Sequence, residues 1–131
     1  MANPLRIGII GTSFVSDWIC EAAQMSENCE ITAVYSRDLA RGSAYAEKQC
    51  IGGCFDDEES FFSSDRFDAV YVASPNILHY RQTLDALNHG KHVLCEKPLA
   101  INAAQAERMI HLAHEKGLIL LEAIRPVHDP F

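Results

Sequence analysis

Residues 11–16 read Gly-Thr-Ser-Phe-Val-Ser, which aligns with the G-x-G-x-x-G/A pattern of a phosphate-binding turn. The segment follows a short apolar run and precedes an amphipathic stretch, so it lies where a strand passes into a helix. Gly11 permits the tight turn, and free N–H groups at the helix start attract a diphosphate. Ser13 and Ser16 replace the second and third glycines, but both are small and either hydroxyl can donate to a phosphate oxygen. The residues predicted to bind the dinucleotide here are Gly11, Thr12, Ser13, Phe14 and Val15.

The residues after the second predicted strand bear on which dinucleotide is bound. An Asp or Glu about 20 residues past the glycines usually binds the ribose 2′-hydroxyl of NAD. Ser36 takes that position, followed by Arg37, with Arg41 one helical turn further on. A carboxylate would repel a 2′-phosphate, whereas Ser36 and the arginines bind one through charge-assisted hydrogen bonds, so the pattern favours NADP over NAD. The alternative is that both arginines are ordinary surface cations and that Asp38 simply caps a helix.

Cysteine and histidine spacing gives no sign of a metal site. The five cysteines are scattered without a C-x-x-C pair, which is typical of reduced thiols in a cytoplasmic protein. His111 and His114 share a polar helix face with Glu107 and Glu115, so exposure to solvent explains them. We therefore predict no bound metal, since a structural zinc site takes four convergent ligands.

Length and charge exclude several classes of protein. The chain has 131 residues and a formal net charge of −7, which suits one domain and disfavours a nucleic-acid binder. Its longest uninterrupted aliphatic stretch, residues 118–121, is far shorter than the roughly 20 residues that cross a bilayer. The first residues lack the apolar core of a signal peptide. A membrane protein and a secreted disulfide scaffold are disfavoured as well.

Short apolar runs alternate with amphipathic stretches along the whole chain, which predicts a parallel sheet covered by helices on both faces. We expect an α/β fold with a doubly wound, six-stranded sheet in the order 3-2-1-4-5-6 and right-handed crossovers. Ligands in such sheets bind beyond the carboxyl ends of the strands, near the reversal of strand order. The predicted strands are residues 5–10, 31–35, 54–55, 67–73, 92–95 and 118–123.

Helical periodicity predicts which side chains face the sheet. Residues 38–49 are predicted to form the second helix, with Asp38 as its N-cap, and the acidic residues 56–59 complement the dipole of the next one. The apolar residues predicted to face inward are Val15, Trp18, Ile19, Ala22 and Ala23 in the first helix, Ile77, Tyr80, Leu84 and Leu87 after the fourth strand, and Ala106, Met109, Ile110 and Ala113 in the last helix.

The ends of the fourth and fifth strands carry a family resemblance. Residues 74–76 read Ser-Pro-Asn, His79 follows, and residues 90–98 read Gly-Lys-His-Val-Leu-Cys-Glu-Lys-Pro. At this spacing they closely resemble the Gfo/Idh/MocA family, the relatives of glucose–fructose oxidoreductase and inositol dehydrogenase. The resemblance extends from about Leu5 to about His128. It implies an N-terminal Rossmann domain for NAD or NADP and a C-terminal α/β domain that forms the substrate pocket.

The resemblance also assigns roles to residues. It places the catalytic lysine at Lys97, beside the nicotinamide, where an ammonium polarises a substrate oxygen or relays its proton. Pro98 favours an extended conformation at Lys97, and Glu96 would lie near the nicotinamide ribose. The alternative for Glu96 and Lys97 is an exposed surface pair. The further residues placed around the cofactor are Ser74, Pro75, Asn76 and His79.

Three of the assignments have plainer alternatives. His79 could be an imidazole on a helix surface. Arg125 and His128 follow the last predicted strand and would face substrate, but a surface arginine and a linker histidine explain them equally well.

The resemblance implies an NAD(P)-dependent dehydrogenase or reductase that transfers a hydride to or from a sugar, a cyclitol or a related hydroxy compound. Residues 1–124 would bind the cofactor, and residues 125–131 would begin the connection to a substrate domain absent from this sequence. We expect the isolated fragment to be inactive, to be cytoplasmic, and to form a homo-oligomer through apolar surface left bare. The alternative is a non-catalytic dinucleotide sensor or regulatory module.

Overall fold

The computed structural model describes residues 3–123. Its strands are β1 Leu5–Ile10, β2 Cys29–Tyr35, β3 Gly53–Phe55, β4 Ala69–Val72, β5 His92–Glu96 and β6 Leu120–Ala123. Its helices are α1 Phe14–Gln24, α2 Leu39–Gln49, α3 Glu58–Phe62, α4 His79–Asn88 and α5 Ala103–Lys116, and a 3₁₀ turn, Asn76–Leu78, leads into α4. The six strands form one parallel sheet in the order β3-β2-β1-β4-β5-β6. The predicted doubly wound fold is confirmed.

A hydrophobic cluster packs on each face of the sheet. On the face of α3, α4 and α5, the cluster includes Phe61, Val70 and Leu87. On the face of α1 and α2, it includes Val34 and Tyr71. All four residues of β4 are buried, and fully burying a large apolar side chain contributes about 1.5–3 kcal/mol. Packing on both faces therefore fixes the central strands, whose carboxyl ends form the candidate site.

Side chains of Asp and Asn fix the starts of three helices. Asp38 caps α2 as predicted, with its side chain accepting from the N–H of Arg41. Asp57 caps α3 and Asn102 caps α5 in the same way. Each cap satisfies an N–H group that has no partner within the helix. Ser13, at the start of α1, forms no such side-chain hydrogen bond.

The predicted inward face of α1 is partly right, since Ala23 is buried and Val15 and Ile19 pack half-buried against the cluster. Trp18 and Ala22 are exposed, while the buried residues of the helix are Ser16, Cys20 and Ala23. The reason is the close packing of α1 on the phosphate-binding turn, where the small Ser16 bonds back to the carbonyl of Gly11. A large side chain on that face would hold the helix away from the sheet.

The predicted faces near α4 and α5 are partly wrong. Ile77 is 74% exposed and Ile110 is also exposed. Around α4 the buried positions include the polar Gln82 and Thr83, so apolar periodicity does not mark the inner face. The helix α5 packs mainly against α4 at the side of the sheet. Only a narrow stripe of α5 is therefore buried, at Met109 and Ala113.

Candidate dinucleotide site

A cavity of about 990 Å³ opens beyond the carboxyl ends of β1, β2 and β4. It lies where the strand order reverses, between β1 and β4, which is the ligand-binding position of doubly wound sheets. Its volume is that of a site for a small molecule or cofactor. The predicted site residues that line it are Gly11, Thr12, Ser13, Ser36, Arg37, Arg41, Ser74 and Pro75. The predicted site residues that do not line it are Phe14, Val15, Asn76, His79, Glu96 and Lys97.

The phosphate-binding turn requires glycine at its first position. Gly11 has φ +109°, and a Cβ built on it would lie 2.7 Å from the carbonyl oxygen of Ala73, at the end of β4. Both the backbone angle and the contact exclude an ordinary side chain. The chain after β1 can therefore approach the backbone at the end of β4 closely, and both Gly11 and Ala73 line the cavity.

The two serines of the turn have different roles. Ser16 is buried, and its hydroxyl donates to the carbonyl oxygen of Gly11 at 2.9 Å. That hydroxyl closes the turn, so its predicted availability to a phosphate is wrong. Ser13 lies at the cavity, and its side chain caps no N–H group of α1. The start of α1, with the positive end of its dipole, therefore adjoins the cavity at Ser13, an arrangement that suits a diphosphate.

The residues after β2 bring uncompensated positive charge to the cavity. The hydroxyl oxygen of Ser36 accepts from the N–H of Asp38 at 3.3 Å, which leaves the hydroxyl hydrogen free to donate. Arg37 and Arg41 are exposed and line the cavity. Among residues 3–123, no acidic side chain forms an ion pair with either guanidinium. The carboxylate of Asp38 accepts instead from the backbone N–H of Arg41.

His79 lies inside the molecule and not on a helix surface. It is 1% exposed. Its Nε2 lies 2.9 Å from the carbonyl oxygen of Ser74 and its Nδ1 lies 2.8 Å from that of Pro98. The ring thus connects the segment after β4 with the segment after β5. Direct contact between His79 and a cofactor stays a prediction, and the observed contacts are with the two segments that flank the site.

Lys97 follows β5 on a segment that other side chains hold in place. The carboxylate of Glu122 accepts from the N–H of Leu99 at 2.7 Å, and His79 meets Pro98. The Lys97–Pro98 peptide bond is cis. Lys97 is exposed, and its ammonium forms no ion pair with the other described residues. The backbone is therefore fixed while the ammonium stays available.

Glu96 is not part of a surface pair with Lys97. Its Oε1 accepts a hydrogen bond from the hydroxyl of Tyr71, on the neighbouring strand β4. The alternative interpretation, in which Glu96 and Lys97 form an exposed surface pair, is therefore wrong. The carboxylate is half-buried and its orientation is set by β4.

Two charged residues that line the cavity, Glu58 and Arg81, are not predicted from the sequence as site residues. The guanidinium of Arg81 binds both carboxylate oxygens of Glu58, at 2.6 and 3.0 Å, and both residues line the cavity. In the sequence, Glu58 belongs to an acidic first turn that complements a helix dipole. Since 23 residues separate the partners, no local pattern indicates their contact. The pairing neutralises a carboxylate that would otherwise repel a phosphate.

The described residues were also compared with the requirements of a metal site and of a membrane-spanning helix. Within residues 3–123, no three His, Cys, Asp or Glu side chains are grouped so that they could hold a metal ion. None of the described helices combines the length and the apolar character needed to cross a membrane. Arg125 and His128 lie outside the described residues.

The family model of the Gfo/Idh/MocA oxidoreductases, described as an oxidoreductase family with an NAD-binding Rossmann fold, matches residues 5–123. The chain belongs to this family. The chain is similar to a scyllo-inositol 2-dehydrogenase (NADP(+)) of Bacillus subtilis (strain 168), with 44% identity. The match covers 96% of the chain and 38% of that relative. A dTDP-3,4-didehydro-2,6-dideoxy-alpha-D-glucose 3-reductase of Actinomadura kijaniata is 38% identical over 98% of the chain and 39% of the relative.

The solved structures agree with this family membership. A 3-ketoreductase from Actinomadura kijaniata, in complex with NADP and TDP-benzene, superposes with a TM-score of 0.90 and 37% identity. The match covers 98% of the Gfo/Idh/MocA chain and 39% of the 3-ketoreductase. The chain therefore spans about two fifths of the length of the relatives that it matches. The predicted resemblance is confirmed, and residues 5–123 are the NAD-binding domain of this oxidoreductase family.

Proposed function

We propose that this domain binds NADP(H), in preference to NAD(H), and belongs to a dehydrogenase or reductase that acts on a sugar, a cyclitol or a related hydroxy compound. The observation that carries the cofactor preference is the group formed by Ser36, Arg37 and Arg41, with two guanidinium groups that no described acidic side chain neutralises. Two relatives support the proposal, since one is a scyllo-inositol 2-dehydrogenase (NADP(+)) and the other is a 3-ketoreductase solved in complex with NADP.

Different residues at the site bind different parts of the dinucleotide and the substrate. The N–H groups at the start of α1 hold the diphosphate, and Gly11 lets it approach the backbone. Ser36 and the two arginines hold the 2′-phosphate. The bound dinucleotide supplies the hydride donor or acceptor at its nicotinamide ring. Lys97 polarises the substrate oxygen or exchanges a proton with it.

Titration with both reduced cofactors tests the cofactor preference. We expect the chain to bind NADPH at least about tenfold more tightly than NADH, because a hydrogen bond to a charged group contributes about 1.5–3 kcal/mol. Arg37→Ala should remove most of that difference by weakening NADPH binding alone. Arg108→Ala, an exposed arginine on α5, is the matched control and should change neither affinity. Equal binding of NADH and NADPH, unaffected by Arg37→Ala, would contradict the preference.

The role of Lys97 requires the protein that also carries the substrate domain. We expect Lys97→Ala to lower turnover at saturating NADPH by roughly 10²–10⁴-fold, the usual contribution of a positioned proton donor. The dissociation constant for NADPH should change little. Lys116→Ala, at the end of α5, is the control. Unchanged turnover in Lys97→Ala would remove this residue from the mechanism.

The proposal extends to location and assembly. Five free cysteines are described, which supports a reducing compartment such as the cytoplasm. Exposed apolar side chains on the sheet, such as Leu121, support self-association into a homo-oligomer. The roles of Arg125 and His128 toward substrate, and of residues 125–131 as a connection to a second domain, stay predictions.

A further inference from the structure

Tyr71 is a buried tyrosine whose hydroxyl points along the sheet toward the candidate site. It lies in β4, is 4% exposed, and belongs to the cluster under α1 and α2. Its partner across the sheet is Leu94 of β5. Glu96 is two residues further along β5 on the same face, since alternate residues of a strand share a face. The tyrosine hydroxyl donates to Oε1 of Glu96.

The hydrogen bond fixes one oxygen of the carboxylate and leaves the other free. No other side chain of residues 3–123 donates a hydrogen bond to the carboxylate of Glu96. Burial, followed by the contact with Glu96, raises the pKa of Tyr71 well above its ordinary value. The phenol therefore remains a donor throughout the physiological pH range. A hydroxyl that donates to a carboxylate makes a short and strong bond, so Glu96 loses most of its rotational freedom.

Glu96 does not line the cavity, but it neighbours a residue that does. Cys95 pairs with Val72 in the sheet, so Glu96 lies beside Ala73, and Ala73 lines the cavity. A ribose presents two adjacent hydroxyl groups, both of them donors. A carboxylate held at one oxygen keeps lone pairs on both oxygens for such a diol.

We propose that Tyr71 is a positioning residue that acts through Glu96 and orients this carboxylate to accept the hydroxyl groups of the nicotinamide ribose. The inference rests on the proposed NADP(H) binding and deepens it. Tyr71 does not touch the cofactor, and its contribution is to hold Glu96 before the cofactor arrives. Such preorganisation strengthens binding because the side chain loses little freedom in the complex.

The first test compares a complete cofactor with a ligand that lacks the nicotinamide ribose. Tyr71→Phe removes the hydroxyl and keeps the ring in the core. We expect its affinity for NADPH to fall about tenfold, which is typical for the loss of a hydrogen bond to a charged group. Its affinity for 2′,5′-ADP, which has the adenosine and both of its phosphates but no nicotinamide ribose, should stay within about twofold of wild type.

Tyr45→Phe is a matched control. The hydroxyl of Tyr45 donates to the carboxylate of Asp17 at 2.7 Å, between α2 and α1, and Tyr45 does not line the cavity. This variant also removes a buried hydroxyl from a carboxylate, and it should leave NADPH affinity unchanged. An equal loss in both tyrosine variants would mean that general destabilisation, and not positioning, causes the effect, and would overturn the inference.

A double-mutant cycle tests whether Tyr71 acts through Glu96. Glu96→Ala should weaken NADPH binding, and adding Tyr71→Phe to it should cause no further loss, because the partner is already absent. Additive losses would overturn the inference. If the wild-type chain failed to bind NADPH, the proposed function itself would fail. If the wild type bound NADPH and Tyr71→Phe bound it equally, only the positioning role would fail.

A second measurement uses the wild-type chain alone and does not depend on the folding of a variant. The hydroxyl proton of Tyr71, protected by burial, should give a downfield proton NMR resonance. We expect NADPH to shift this resonance, since ribose hydroxyl groups would then share the same carboxylate, and 2′,5′-ADP to leave it in place. A resonance that does not respond to saturating NADPH would contradict the role of Tyr71.

Discussion

Gly11 shows how a single residue sets the geometry of the site. Its φ of +109° and the 2.7 Å distance from a built Cβ to the oxygen of Ala73 are two separate obstacles to a side chain. Gly90 shares the first obstacle, with φ +78°, but a Cβ there would have nothing within 4 Å. The two glycines therefore separate the cost of backbone strain from the cost of a steric clash.

Substitution of both glycines by alanine measures this difference. We expect Gly90→Ala to lower the free energy of unfolding by about 1–2 kcal/mol, the cost of a left-handed conformation. Gly11→Ala should cost at least about 2 kcal/mol more than that, because β1 and β4 must also move apart, and should abolish NADPH binding. Urea denaturation and cofactor titration measure the two effects. A cost at Gly11 no greater than that at Gly90 would contradict the close approach.

Local spacing allowed the residues of the phosphate-binding turn and the arginine group to be predicted. Gly11, Ser36 and Arg37 lie directly after apolar runs, where a parallel sheet must place them at one edge. Spacing did not predict the contact of Tyr71 with Glu96 or that of His79 with Pro98, because these partners lie 25 and 19 residues apart in the chain. Such contacts depend on the register between strands, which a single sequence does not specify.

At the scale of elements, α3 is a short helix with a large role. Its five residues carry Phe61 and Phe62 into the core. Isolated helices of this length are not stable, so α3 depends on its packing and on the N-cap Asp57. The carboxylate of Asp57 accepts from both the N–H and the hydroxyl of Ser60. These hydrogen bonds, the backbone one first, lower the pKa of Asp57.

The cap of α3 should make a pH-dependent contribution to stability. Asp57→Ala should lower the urea midpoint at pH 7, whereas Asp57→Asn, which keeps an acceptor oxygen, should change it little. Because the folded pKa is depressed, the stabilisation by ionised Asp57 is present above the ordinary pKa and is lost as the pH falls through the folded value. The difference between wild type and Asp57→Ala should therefore shrink toward pH 3. A difference that stays constant from pH 7 to pH 3 would contradict this account.

The elements themselves were predicted better than their inner faces. Strand order and the cap of α2 follow from periodicity and a cap residue, and both are confirmed. The inner face of α4 escaped prediction because it contains His79, Gln82 and Thr83. Two of them contact loop residues: the amide oxygen of Gln82 accepts from the hydroxyl of Ser74, and the ring of His79 meets the carbonyl oxygens of Ser74 and Pro98. A hydrophobic pattern cannot indicate burial of that kind.

At the scale of the molecule, buried cysteine thiols and tyrosine hydroxyl groups should limit the stability of the fold at high pH. Burial raises the pKa of Cys95 to about 12 and also raises the pKa of Cys20, Tyr45 and Tyr71. A group with a raised folded pKa contributes stability that is complete below its unfolded pKa and is lost as the pH rises. For the thiols this loss begins near pH 9, and the tyrosines add to it from about pH 10.

Alkaline denaturation of wild type and Cys95→Ala isolates one of these groups. We expect the urea midpoint of the wild type to fall between pH 8.5 and 10.5, and to fall less steeply in Cys95→Ala. Cys50→Ala, which removes an exposed thiol, is the control and should keep the wild-type slope. Identical slopes in all three proteins would show that the Cys95 thiol does not link proton release to unfolding.

The helices cover the two faces of the sheet unequally. We expect the less covered part of one face to determine whether the chain self-associates. On the face of α1 and α2, β5 and β6 present Leu94, which is half-buried, and Leu121, which is 50% exposed. The helices that contact β5 and β6 most are α4 and α5, which pack on the opposite face of the sheet. We expect the chain to self-associate at Leu94 and Leu121, and light scattering over a concentration series should detect it. Leu121→Lys should favour the monomer, while Ile110→Lys, on the outer surface of α5, should leave association unchanged. A monomer at every concentration would contradict association, and equal effects of the two lysines would assign it to a different surface.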